Sequence, residues 1–277
     1  MLANYGIQCL ARFDDGAERR LALPRKLHAV AGDWGETDGK RLVTIEPREH
    51  ILARADADST QILGANVDRV VLVQSASNPP YRAGLSDRYQ VFCAVMDIPL
   101  ILVINKIDEG DEAVLAKARR YEEWGVEVVC VSAHSTENIA VLAERLREGT
   151  SVLSGHSGVG KSSLLNTLLP GVEIEVGDVS DYHGKGRHTT TTARAYAYRD
   201  GYLIDTPGIR QFGFVGVDPS DVARAFPEFA EYADQCKFRN CMHTHEPQCA
   251  VRDAAESGKI RKSRYRSYLR IIESLEY

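Results

Sequence analysis

Hydrophobic and polar positions follow three different rhythms along the chain. Up to about residue 65, short apolar–polar alternations are broken by turn signals such as Asp15-Gly16 and Asp38-Gly39. AERRLALP, AVAGDWGE and KRLVTIEP there read as strands of a small barrel. From Asn66 the alternation gives way to unbroken Val- and Ile-rich runs, VDRVVLVQS, LILVINK and VEVVCVS, as expected for parallel strands buried on both faces. Helical stretches lie between them at Leu85–Met96, Glu112–Trp124 and Asn138–Glu148, so strand and helix alternate as in a doubly wound α/β domain. The alternation continues through TSVLS, a glycine-rich loop, the helix SSLLNTLL and the strand of GYLIDTPGI. After Gly216 the pattern shortens to small helices and ends in a basic one, GKIRKSRYRSYLRIIESLEY. These breaks divide the chain into residues 1–65, 66–216 and 217–277.

Composition narrows the classes. A formal net charge of −5 and a pI near 5.9 are unlike a generic nucleic-acid binder, so any RNA contact must come from local patches. No apolar run approaches the roughly 20 residues that cross a bilayer. The opening MLANYGIQCLARFDDG lacks a signal-peptide plan, and a cytoplasmic protein with no membrane partner is expected. In a reducing compartment its six cysteines are thiols or metal ligands rather than disulfides. Cys9, Cys93 and Cys130 sit singly among apolar neighbours and read as core residues.

The glycine-rich loop fits G-x-x-x-x-G-K-[ST] between a strand and a helix. Its residues Gly155, His156, Ser157, Gly158, Val159, Gly160, Lys161, Ser162 and Ser163 are candidates to bind a nucleotide. Backbone N–H groups would wrap the β-phosphate, Lys161 would bridge the β- and γ-phosphates, and Ser162 would bind Mg²⁺. Asp205, ending the strand of LIDTPG, would hold Mg²⁺ through a water, and the Gly208 N–H would meet the γ-phosphate. Between these motifs lies a polar, glycine-rich stretch with four threonines, Thr189–Thr192. One of them would add its hydroxyl to Mg²⁺ and order the loop around GTP; Thr190 and Thr191 are equal candidates. In Asn105-Lys106-Ile107-Asp108, the Asp108 carboxylate can accept from both guanine N1–H and N2–H₂, which favours GTP over ATP. Asn105 would tie the base loop to the phosphate loop, and the Lys106 stem would cover the base. Ser132-Ala133, after the next strand, would back up the guanine O6 contact.

The base reader precedes the phosphate loop, the reverse of an ordinary P-loop GTPase, yet every part is present in a rotated order. Ligands of such sheets bind at the carboxyl ends of the strands whatever the chain order. The rotation also leads the DTPG loop straight into the C-terminal segment, a short covalent path for γ-phosphate contacts. The residue after DTPG is Ile209, which cannot orient water. Intrinsic turnover is therefore expected to be slow until a partner completes the site, with His188 the nearest candidate to act on water and a solvated loop histidine the plain alternative.

CKFRNCMHTHEPQC spaces Cys236, Cys241, His243 and Cys249 as C-x₄-C-x-H-x₅-C, a donor set suited to one closed, structural Zn²⁺ site, with His245 an alternative ligand. The last helix carries Lys259, Arg261, Lys262, Arg264, Arg266 and Arg270 with Tyr265 and Tyr268, either a phosphate-contacting surface with stacking aromatics or a solvated charged face.

The motif order, GRHTTT and CKFRNCMHTHEPQCAV together resemble the circularly permuted GTPases of the RsgA (YjeQ) type, the ribosome small-subunit-dependent GTPases. The resemblance spans nearly the whole chain. It implies an OB-fold barrel over 1–65 with AVAGDWGE as a barrel strand, a permuted GTPase domain over 66–216 and a small helical zinc-binding domain over 217–277. It also implies a GTP hydrolase acting late in small-subunit maturation, stimulated by that subunit and in contact with its rRNA, with His188 catalytic and the three cysteines and His243 as zinc ligands. A monomer is expected. The chain begins almost at its first barrel strand, without the basic extension of many relatives, which bears on the N-terminal rRNA contact rather than the fold. A second reading is a GTP-dependent RNA-binding switch in which hydrolysis is incidental. If Asp108 reads guanine, Asp108→Asn shifts nucleotide preference from GTP toward xanthosine triphosphate in a competition assay; unchanged preference would remove Asp108 from the base pocket.

Overall fold

The structure, a computed structural model, describes residues 1–56, 59–172, 174, 193–206, 214 and 216–275. The chain opens with antiparallel strands β1 (Ala3–Asn4), β2 (Gln8–Arg12) and β3 (Glu18–Ala22). Two hairpins follow, β4 (Gly35–Thr37) with β5 (Leu42–Ile45), and β6 (Ile51–Asp56) with β7 (Ser59–Ala65). Cys9, Leu21, Leu23, Ala29 and Leu42 form a small core of their own among these pieces. Among the described residues, pairing does not run round them as one closed ladder. Instead Ala3 of β1 pairs with Arg194, which carries β1–β3 into the large sheet across the expected boundary at residue 65.

The stretch AVAGDWGE, expected as a barrel strand, is mostly loop. Only Gly35 and Glu36 of it lie in a strand, and Ala29–Trp34 is a loop. Buried Ala29, Ala31 and Asp33 mimic strand alternation, but the Asp33 carboxylate takes the Val30 N–H at 2.7 Å and Arg48 at 2.7 and 2.8 Å. A side chain that bonds its own backbone three residues back turns the chain instead of extending it.

The α/β unit runs β8 (Arg69–Ser75), α1 (Ala83–Val95), β9 (Leu100–Asn105), α2 (Glu112–Arg119), β10 (Glu127–Cys130), α3 (Ile139–Arg145), β11 (Glu148–Ser154), α4 (Lys161–Leu168), β12 (Arg194–Tyr198) and β13 (Asp200–Asp205). The sheet order is β10-β9-β8-β11-β13-β12-β1-β2-β3; β10, β9, β8, β11 and β13 are parallel and β12 turns back antiparallel. Alternate residues of the apolar strands face opposite layers. Val70, Leu72, Leu102 and Ile104 pack with Tyr89 and Phe92 of α1, while Val71, Val73, Ile101 and Val103 pack with Leu142 of α3 and Leu164 and Leu165 of α4. That two-sided burial is why these runs carry no polar alternation. The stretch expected as one helix to Trp124 ends as α2 at Arg119 and continues as a 3₁₀ turn, closed by Gly125 at φ 77°. Likewise α3 stops at Arg145, because Glu148 already starts β11.

The C-terminal part holds α5 (Pro219–Arg224), α6 (Ala230–Ala233), α7 (Ala250–Glu256) and α8 (Lys262–Glu273). Phe226, Phe229 and Tyr268 meet with ring centroids 5.0 to 5.5 Å apart at its centre, joined by Val91 of α1. The basic stripe of α8 is split by this packing. Tyr268 is fully buried and Arg264 is 3% exposed, whereas Lys259, Arg261, Lys262, Arg266 and Arg270 stay in solvent. Arg264 meets Asp87 of α1 at 2.7 Å and Glu228 at 2.6 Å, with its guanidinium 4.0 Å from the Trp124 ring centre. It is therefore a clamp between α8 and the α/β unit, not an RNA contact. Arg264→Ala strands the buried Asp87 charge and is expected to cost about 3–5 kcal/mol of unfolding free energy by urea titration; a loss under about 1 kcal/mol would refute the clamp.

Candidate functional site

Register brings the motif-bearing loops to one edge. Ser75 pairs with Asn105, Ser154 with Leu72, Leu153 with Asp205 and Cys130 with Ile104, so the loops after β8, β9, β10, β11 and β13 leave from the same end of the sheet.

Asn105, 1% exposed, joins three of them. Its Nδ2 donates to the Val159 carbonyl of the phosphate loop at 3.0 Å, and its Oδ1 accepts the Ala133 N–H at 3.0 Å. Gly160 makes the approach possible: a Cβ there would lie 2.2 Å from Asn105 Nδ2, and its φ of +94° suits glycine. Gly155 is pressed as closely, with a Cβ 2.2 Å from the Val73 carbonyl oxygen. Lys106 takes a left-handed φ of 63° and its ammonium donates to the Asn78 carbonyl at 2.6 Å, which holds the stem across the base loop. Asp108 sits on the following 3₁₀ turn. The Ser132 hydroxyl bonded to it holds its carboxyl below the usual range, with His134 Nδ1 3.5 Å away adding to the effect. Gly158 and Ser157 line the exposed rim of the phosphate loop, while His156 reaches Arg82 at 3.3 Å.

Lys161 folds back on the loop, donating to the Gly155 and His156 carbonyls at 2.7 and 3.0 Å. Burial lowers its pKa and the charge of Asp205 opposes the shift. Burial likewise raises the Asp205 pKa, opposed by Lys161. Asp205 Oδ1 is buried with no hydrogen-bond partner among the described residues. A desolvated carboxylate oxygen left unpaired beside a phosphate loop suits a hydrated divalent cation, and Ser162, half-buried in the first turn of α4, offers a second oxygen. Ser163 is half-buried one residue further along. His188, Thr190, Thr191 and Gly208 lie outside the described residues.

A second cluster forms in the helical part. The donor atoms of Cys236, Cys241, His243 and Cys249 all lie within 4.8 Å of one another, with His243 Nδ1 3.5 Å from the sulfurs of both Cys236 and Cys249. His245 is exposed and its Nδ1 pairs with Thr244 Oγ1 at 3.0 Å, so the structure brings His243 and not His245 into the set. Burial together with neighbouring sulfur pushes the Cys241 thiol up to about 12, a cost that a bound cation would reverse. Three sulfurs and one imidazole at this spacing fit a tetrahedral Zn²⁺ with no position left open.

Several supporting residues carry no motif. Burial would raise the Glu246 carboxyl, but the Met242 and Thr244 N–H groups it accepts at 2.8 and 3.0 Å hold it down at about 2, fixing the ligand loop. Tyr265 donates to the His243 carbonyl at 2.7 Å, and Tyr268 donates to that of Met242. Ser154, just before the phosphate loop, shares a hydrogen bond with buried Tyr89. The tyrosine contacts join residues 22 to 65 positions apart, so nothing in the local pattern marks them; the Glu246 bonds are local, and His134 directly follows Ser132-Ala133.

A parallel sheet with a phosphate loop and an Asn-Lys-x-Asp base reader at one edge, in rotated chain order, defines a circularly permuted P-loop GTPase. Comparisons with known proteins carry this further. The RsgA GTPase family profile matches residues 45–215. The chain is 42% identical over 291 aligned positions to the small ribosomal subunit biogenesis GTPase RsgA of Haemophilus influenzae (strain PittGG), covering 99% of this chain and 84% of that protein. With the protein of the same name from Actinobacillus pleuropneumoniae serotype 5b (strain L20) it shares 43% over 236 positions, 83% of this chain and 68% of the relative. Among solved structures it resembles YjeQ from Thermotoga maritima, with a TM-score of 0.74 and 29% identity over 99% of this chain and 96% of that one. It also resembles YloQ, described as a circularly permuted GTPase, with a TM-score of 0.70 and 26% identity over 99% and 93%. The chain belongs to the RsgA GTPase family and is a GTP-hydrolysing enzyme.

If the Cys/His cluster holds a structural metal, a strong chelator should abolish amide protection across α5–α8 and leave β8, β9 and β11 protected in hydrogen exchange; retained protection of α7 and α8 would contradict a structural metal.

Proposed function

We propose that this GTPase binds the small ribosomal subunit and its rRNA as the GTP form, acts in late maturation of the subunit, and leaves after a hydrolysis that the subunit stimulates. Support for the pocket comes above all from Asn105, whose one amide holds the phosphate loop and the Ser132-Ala133 loop against the base reader. Support for the partner comes from the names of the relatives, each a small ribosomal subunit biogenesis GTPase, and from the exposed cations Lys259, Arg261, Lys262, Arg266 and Arg270. The three-part division 1–65, 66–216 and 217–277, with an OB-type barrel first, a cytoplasmic location and a monomeric state belong to the same reading. Among the described residues, no helix is long and apolar enough to cross a membrane.

In this reading Asp108 accepts the guanine N1–H and N2–H₂, the Ala133 N–H meets O6, and the Lys106 stem lies over the base. Lys161 leaves the Gly155 and His156 carbonyls for the β- and γ-phosphates, while amides of the phosphate loop and the start of α4 surround the β-phosphate. Ser162, Asp205 and one of Thr190 and Thr191 would hold Mg²⁺, which neutralises charge between the β- and γ-phosphates when bound. Gly208 gives its N–H to the γ-phosphate, and His188 orients the attacking water when the subunit is bound. Cys236, Cys241, His243 and Cys249 hold one structural Zn²⁺.

Turnover measured with and without purified small subunits is the test. A rise of about 10²-fold or more is expected on adding subunits, by analogy with partners that complete a GTPase site. Equal rates would leave the protein a GTP-dependent RNA-binding switch with incidental hydrolysis. His188→Ala should keep GTP affinity and lose most of the stimulated rate, about 10²–10⁴-fold for a positioned proton-handling group; an unchanged stimulated rate would return His188 to a solvated loop residue.

A further inference from the structure

Helix α1 touches both halves of the molecule with different side chains. Tyr89, 1% exposed, shares a 2.5 Å hydrogen bond with the hydroxyl of Ser154, the residue directly before the phosphate loop. Two positions earlier, Asp87 accepts from Arg264 Nη1 at 2.7 Å and from Ser267 Oγ at 2.5 Å. Gln90 accepts from Arg264 Nη2 at 2.9 Å and donates to the Ala225 carbonyl at 2.9 Å. One turn of α8 then carries Tyr265 and Tyr268, whose hydroxyls hold the His243 and Met242 carbonyls of the Cys/His loop. Buried hydrogen bonds and two helices therefore connect the cluster to the phosphate loop by a route separate from the DTPG segment.

We infer that α1 is the member through which the Cys/His unit sets the position of the phosphate loop, with Tyr89 the positioning residue on the nucleotide side and Arg264 on the cluster side. The inference rests on the nucleotide and zinc assignments proposed above. A buried hydroxyl must find a partner, so a Tyr89 serving only the core would be satisfied by any acceptor. Here the partner is the last residue before a loop whose amides have to converge on one phosphate, and the helix that carries Tyr89 is pinned two residues away by an ion pair from α8. Close-packed interiors pass such displacements on rather than absorbing them. Losing the metal frees the Met242 and His243 carbonyls, loosens α8 and slackens Arg264 on Asp87; α1, and with it Ser154, then loses its outer anchor.

The test uses the full chain, fluorescent GDP as probe, and zinc-loaded and chelated protein. Chelation is expected to raise the wild-type Kd for GDP about fivefold or more, the lower end of coupling between linked sites. Tyr89→Phe, which removes one oxygen from an otherwise unchanged ring, should raise it by a similar factor with zinc in place, and chelating the variant should add less than about twofold, since both changes cut one path. Ser154→Ala breaks the same bond from the other side and serves if Tyr89→Phe does not fold. Hydrogen exchange of the amides of residues 155–163, without nucleotide, gives an independent readout: faster on chelation in the wild type, already fast and unchanged by chelation in Tyr89→Phe. Additive effects of chelation and Tyr89→Phe, or wild-type affinity and exchange in Tyr89→Phe, would overturn the inference. If the exchange pattern holds while no GDP binds, the link stands and the nucleotide assignment falls.

Discussion

The parallel pairing of β8 with β9 on one side and β11 on the other is the constraint from which the rest follows. Evenly spaced parallel ladders put the carboxyl ends of neighbouring strands side by side, and residues from Val70 to Asn105 and from Ser151 to Asp205 are held in that order by backbone bonds alone. Once those ends are level, the base reader after β9, the Ser132-Ala133 loop after β10 and the phosphate loop after β11 have one place to meet. The connecting chain can enter and leave the sheet elsewhere without moving them, which is why a rotated motif order still yields a single pocket. Asn105 then converts proximity into a fixed geometry with the two ends of one amide.

Two buried groups of charge show opposite solutions to the same problem. Around Arg264, two carboxylates and an amide accept from all three nitrogens of the guanidinium beside an aromatic face, and the result is a clamp between α8 and the GTPase unit. Around Lys161 and Asp205, burial works against both charges and one carboxylate oxygen has no partner among the described residues. A completed network holds elements together; an incomplete one at a strand end keeps capacity for a ligand. The Cys/His cluster belongs to the second kind, since three crowded sulfurs are costly until a cation joins them.

The helical part illustrates how a short stretch of chain is stabilised by borrowing. Its core draws Val91 from α1, and its basic last helix spends two of its most conspicuous residues, Arg264 and Tyr268, on inward contacts. A row of cations interleaved with tyrosines reads as one surface along the sequence, yet residues 264, 268 and 271 share one helix face and residues 262, 266 and 270 another. Which face met the protein and which met solvent depended on where Asp87 and Glu228 lay.

What could be read from the chain itself was whatever physics confines to neighbouring residues. Continuous Val–Ile runs identified the two-sided strands, the glycine spacing and Lys161 pointed to the phosphate loop, and the Cys/His spacing pointed to four side chains whose donor atoms the fold brings within 4.8 Å of one another. The role of Asn105 as a tie was also legible, because its motif carries its geometry. Alternation misled at Ala29–Trp34, where Asp33 bonds its own backbone, and helix ends drifted where no capping residue stood. Tertiary structure alone decided that Arg264 is a clamp, that β1 joins the main sheet, and that Tyr89 reaches Ser154. Each of these is a contact between residues distant in the chain, set by packing, and local spacing holds no record of the partner.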